Sequence, residues 1–144
     1  MSEADETDGM MIRRHEARRW LSIVVEDIDV ARASVKLTPP RLGAAAYHLQ
    51  QACEKVLKGL LVLAGQRMPK THDLDELASL TTPHFPQWAS LFDVMRSLTV
   101  WGTAYRYPSL GDDQEPEPSL TETETVARLV ERLVAEILPL TGDG

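Results

Sequence analysis

Along most of the chain, apolar residues recur every three or four positions, the spacing of one face of an α-helix. Over residues 11–37, Trp20, Val24, Ile28, Ala31 and Val35 form one stripe, while Arg18, Glu26, Asp29, Arg32 and Lys36 fall elsewhere on the helix. Thr38-Pro39-Pro40 ends this helix, because a residue before proline is pushed out of helical geometry. A second helix is predicted over 40–65. Pro40 opens it, where a missing N–H costs nothing, and Gly65 closes it as a C-cap. Its stripe of Ala45, Leu49, Ala52, Val56 and Leu63 is widened by Cys53, Leu57, Leu60 and Ala64, which suits a central helix touching more than one neighbour.

After a connection at 66–70, a short helix is predicted over 73–80. Asp73 can cap its first N–H groups, and Glu76 stands where a capping box places its acid. Thr81-Thr82-Pro83 interrupts the pattern. Pro86 opens a fourth helix whose apolar face is Trp88, Leu91, Phe92, Met95 and Leu98, closed by Tyr105-Arg106-Tyr107-Pro108. Residues 109–118, acidic and rich in Gly and Pro, predict a mobile loop. Ser119 and Glu122 repeat the capping-box pattern and open a last helix, with Val126, Leu129, Val130, Leu133, Ile137 and Leu138 facing inward.

No segment reads as a strand. The expected fold is all-α: an up-and-down helical bundle of four main helices plus one short helix. It forms one domain over 11–141, behind a disordered acidic segment at 1–10.

Composition narrows the function classes. A chain of 144 residues with 43% hydrophobic and 26% charged residues can bury one core. A formal net charge of -7 argues against a general nucleic-acid coat, whose affinity comes from many phosphate contacts. It leaves room for one local basic run, Arg13, Arg14, Arg18 and Arg19, which also reads as a solvated helix face. No apolar run approaches the ~20 residues a membrane-spanning helix needs, and the acidic N-terminus is the opposite of a targeting peptide. The single cysteine, Cys53, cannot form an internal disulfide, which points to a reduced, cytoplasmic setting.

Metal chemistry is not expected. Di-metal bundles use a Glu three residues before a His, but His15, His48, His72 and His84 follow Ile12, Ala45, Pro69 and Thr81 at that spacing. No zinc pattern, glycine-rich phosphate loop or nucleophile elbow occurs, so no cofactor is expected.

Residues 45–77 read AAYHLQQACEKVLKGLLVLAGQRMPKTHDLDEL. This stretch resembles the signature of the HEPN family, the nucleotide-binding domain of higher eukaryotes and prokaryotes. The matching residues are Tyr47 and His48, Gln50 to Ala52, Glu54 and Lys55, Lys58, Gly65, Pro69, and Thr71 to Leu74; Arg106-Tyr107-Pro108 resembles a later family pattern. The same residues also have a structural reading. Glu54 and Lys58 make a favourable helix pair, and Thr71, His72 and Asp73 can start the short helix.

The resemblance implies a homodimer, often partnered with a small nucleotidyltransferase in toxin–antitoxin-like modules, that handles a nucleotide or RNA. It assigns Arg106, Tyr107, Lys55, Lys58 and His72 to nucleotide contact. In the family's metal-independent ribonucleases, an arginine is followed, after four to six intervening residues, by a histidine, and the two act at a dimer cleft. After Arg106 the positions for that histidine hold Gly111, Asp112 and Asp113. None offers an imidazole's proton chemistry, and two acids would repel a phosphate. Arg67–His72 and Arg41–His48 have the spacing but lie in the wrong helices and are set aside. The expectation is therefore a non-catalytic binding module. The alternative is a ribonuclease in which Arg106 works with a histidine from elsewhere, His72.

Overall fold

Capping chemistry sets where the helices begin. The computed structural model describes residues 2–105 and 117–142, and all the regular structure in them is helical. Helix α1 spans Glu3–Lys36, α2 Leu42–Leu63, α3 Leu74–Thr81, α4 Ala89–Met95 and α5 Leu120–Thr141, with 3-10 turns at Pro86–Trp88 and Arg96–Gly102 on either side of α4. The all-α bundle expected from sequence is what the chain forms.

Three boundaries differ from the sequence reading. Helix α1 starts at Glu3, so residues 3–10 are its first turns and not a disordered segment. The Ser2 hydroxyl accepts from the Asp5 N–H, and Glu3, Asp5 and Glu6 sit at the positive end of the helix dipole. Helix α2 begins at Leu42, two residues after Pro40. In the fourth segment only Ala89–Met95 is α-helical; the rest tightens into 3-10 turns. Most of the expected loop at 109–118 lies outside the described residues.

Helix α2 is the hub. Helices α1 and α5 pack along it and along each other, while α3 and the second 3-10 turn cover another side. Its centre is fully buried, with Ala45, Leu49, Ala52, Val56 and Leu57 at 0% exposure. Phe92 and Met95 fill the space between the α4 segment and the core. On α5, Val126, Val130, Leu133 and Ile137 point inward as expected, and Leu129 is half-buried. Leu138 does not point inward: it is 44% exposed, because it stands one residue off the stripe that runs through Val134, Ile137 and Thr141.

Helix α2 ends in a Schellman turn. The Gly65 N–H donates to the Val62 carbonyl and the Gln66 N–H to the Leu61 carbonyl, both at 2.9 Å. Gly65 supplies the φ of 73° that this turn needs and that other residues adopt at a cost. Helix α5 opens with the expected capping box, the Ser119 hydroxyl accepting from the Glu122 N–H and the Glu122 carboxylate from the Ser119 N–H. Its far end is held by Arg18, which donates to the Thr141 carbonyl at 2.7 Å.

Candidate functional site

The polar residues of α2 fall in two neighbouring columns, as helical geometry requires. One carries Gln50, Glu54 and Lys58, the other His48, Gln51 and Lys55. Both are drawn into the protein by acids.

Asp27 on α1 organises the second column. It lies on the buried stripe between Val24 and Ala31 and is only 9% exposed. Its Oδ2 accepts from the Lys55 ammonium at 2.7 Å and its Oδ1 from His48 Nδ1 at 3.0 Å. An ionised carboxylate can only accept, so in this pairing Nδ1 carries the proton. The Tyr47 ring meets the His48 ring edge-on at 5.1 Å.

Glu54 organises the first column. Its exposure is 6%, its Oε1 accepts from His72 Nδ1 at 2.8 Å, and Lys58, itself buried, pairs with Oε2 at 3.9 Å. The His72 side chain is 78% exposed, so this imidazole is the solvent-facing end of the cluster. The loop that presents it is fixed from both sides. Thr71 accepts from the Asp73 N–H at 3.1 Å, and Thr99 accepts from the Leu74 N–H at 2.9 Å. Asp73 caps α3 through the Asp75 N–H. Arg96 then ties α3 to α4, donating to Asp93, Asp75 and Ser79. The hydrogen bond to Asp93, then that to Asp75, holds its guanidinium above the ordinary arginine value.

The chain leaving the second 3-10 turn runs back along α2. Gly102 lies against Gln50, and a methyl group at position 43 would meet the Tyr105 Cβ at 3.0 Å. Gln50 is buried and accepts from the Gln51 amide at 2.8 Å.

Of the five residues assigned to nucleotide contact, Lys55, Lys58 and His72 all belong to this cluster, each held by a carboxylate. Arg106 and Tyr107 lie outside the described residues, as do Gly111, Asp112 and Asp113. The sequence reading missed Asp27. The available signal was an acid at the buried positions of a helix stripe, where a charge needs a partner.

The arrangement offers two imidazoles, each anchored at Nδ1 by a buried acid and His72 largely exposed, beside cations that are already neutralised. Cys53 contributes no nucleophile, since burial pushes its thiol up to about 12. Among the described residues no group of three or more His, Cys, Asp or Glu is placed to hold a metal ion, and no helix is long and apolar enough to cross a membrane.

No curated protein and no solved structure matches the chain significantly. The family model described as the HEPN domain matches residues 17–138, from the middle of α1 to the last turn of α5. The chain therefore belongs to the HEPN domain family, a nucleotide- or RNA-related class of helical module.

Proposed function

We propose that this chain is a non-catalytic HEPN module that binds a nucleotide or a nucleotidyltransferase-type partner, as a homodimer, in a toxin–antitoxin-like system. One observation carries the reading: Lys55 and Lys58 are each committed to a buried carboxylate of the same chain. Cleaving a phosphodiester needs cations free to stabilise charge developing on the phosphate. A charge-balanced seam that exposes the His72 imidazole is suited instead to hydrogen-bonding a base, a ribose or a partner's polar groups. The replacement of the expected histidine by Gly111, Asp112 and Asp113 supports the same reading.

A metal-independent ribonuclease is the second reading, favoured by the way Glu54 orients His72. A carboxylate on Nδ1 is how a general-base histidine is commonly held.

The deciding experiment incubates RNA with the purified protein in EDTA, beside Arg106→Ala and His72→Ala. A parallel titration with ATP follows the His48 and His72 imidazole signals by NMR. Intact RNA in every sample, with imidazole shifts on adding ATP or the partner, is the expected result. Cleavage by the parent chain that both variants lose would replace the binding module with the ribonuclease.

A further inference from the structure

Helix α1 is longer than the helices it packs on. Its 34 residues span about 51 Å, against about 33 Å for the 22 residues of α2. Arg13 lies beside Gly65 where α2 ends, and Arg18 reaches Thr141 where α5 ends. The first turns of α1 therefore project past both neighbours, and no described residue before Ala17 is buried. A helical stretch of this length is marginal unless something packs on it. Near its middle it exposes Met10, Met11 and Ile12, the last two at 60% and 65%.

Charge divides around that apolar centre. Glu3, Asp5, Glu6 and Asp8 precede it; Arg13, Arg14, His15, Arg18 and Arg19 follow it, interrupted by Glu16. Elsewhere Arg32, Arg96, Arg128, Arg132, Lys55 and Lys58 pair with carboxylates of the chain, and Lys36, Arg41, Arg67 and Lys70 stand scattered without one among the described residues. Among the described residues none of the five basic groups after the centre pairs with a carboxylate. Acids on one side of an apolar patch and bases on the other make a surface complementary to itself under two-fold symmetry.

We propose that this segment of α1 docks antiparallel on the same segment of a second copy, with Met11 at the two-fold axis. That register sets Met10 level with Ile12, Asp8 with Arg14 and Glu3 with Arg19, against one like-charge level, Glu6 with Glu16, and arginine side chains are long enough to reach acids one level away. A parallel pairing would instead place acid on acid and arginine on arginine, so charge selects the antiparallel arrangement. The inference rests on the homodimer reading above and is independent of any nucleotide chemistry.

The test places one thiol at the axis. Met11→Cys is treated with a short bismaleimide, and Val30→Cys, exposed but far along α1, is the control; Cys53 is buried and stays silent. Cross-linking at position 11 is expected to be roughly tenfold faster than at position 30 and to slow in high salt. Adding Arg14→Glu and Arg19→Glu should abolish the advantage, and further adding Glu3→Arg and Asp8→Arg should restore it. Equal rates at the two positions, or rates indifferent to charge reversal, overturn the proposal. Sedimentation of the unmodified chain separates the two readings. A dimer that does not link through position 11 removes this surface and leaves the homodimer standing; a monomer removes both.

Discussion

Gly102 lies so close to Gln50 that a methyl group on it would stand 2.9 Å from the side-chain amide carbon and oxygen. Gln50 is buried and already engaged by Gln51, so it has little room to yield. Gly102→Ala is expected to destabilise the bundle by about 1–3 kcal/mol, the usual effect of overpacking. Urea denaturation should show a lower midpoint with an unchanged slope. Adding Gln50→Ala should recover part of the loss, because the second substitution removes the atoms that clash.

Asp27 accepts from two donors at once, the Lys55 ammonium and the His48 ring. Asp27→Asn keeps the shape but removes the charge that Lys55 and His48 are built around, and about 1–3 kcal/mol of stability should go with it. Lys55→Met, which leaves His48 to satisfy the acid, should have a smaller effect. A double-mutant cycle between positions 27 and 55 measures the coupling, and a value near zero would show that the pair contributes nothing.

Burial raises the Cys53 thiol from 9.0 to about 12. Between those values the folded protein keeps a proton that the unfolded chain has lost. Its stabilising contribution is thus complete below the unfolded value and declines as pH rises towards the folded one. At neutral pH a disulfide reagent should leave the native thiol unreacted and modify it promptly in urea. Denaturation midpoints should fall between about pH 9 and pH 11, and Cys53→Ala should remove part of that dependence.

Arg32 bridges α1 to two acids of α5, Glu124 at 2.7 Å and Glu131. The hydrogen bond to Glu131 is the main reason its guanidinium is held above the ordinary arginine value. A lysine cannot make this fork. Arg32→Lys should therefore lose about 0.5–1 kcal/mol, little because the groups are partly solvated. The loss should shrink in high salt, which comparing Tm shifts at low and high ionic strength will show.

Much of the scaffold was legible because it follows from local rules. Ser119 with Glu122, and Gly65 after an apolar run, announce helix ends that need no knowledge of the rest of the fold. Leu138 was misplaced since a stripe wide enough to include Leu129 tolerates one residue too many. The first turns of α1 were missed because acidic composition suggests disorder, whereas the same acids behind Ser2 favour a helix N-terminus. The site was harder to read. The family motif marked Lys55, Lys58 and His72, but which acid neutralises each depends on how α1 and the loop before α3 lie on α2. No spacing within α2 encodes Asp27.

Arg18 holds the last carbonyl of α5 near one end of the α1–α5 contact, while Arg32 grips Glu124 and Glu131 near the other. With both ends pinned, the last helix cannot peel off turn by turn. It must let go as a block, and its amides should exchange with deuterium at one shared rate set by a single concerted opening rather than by fraying.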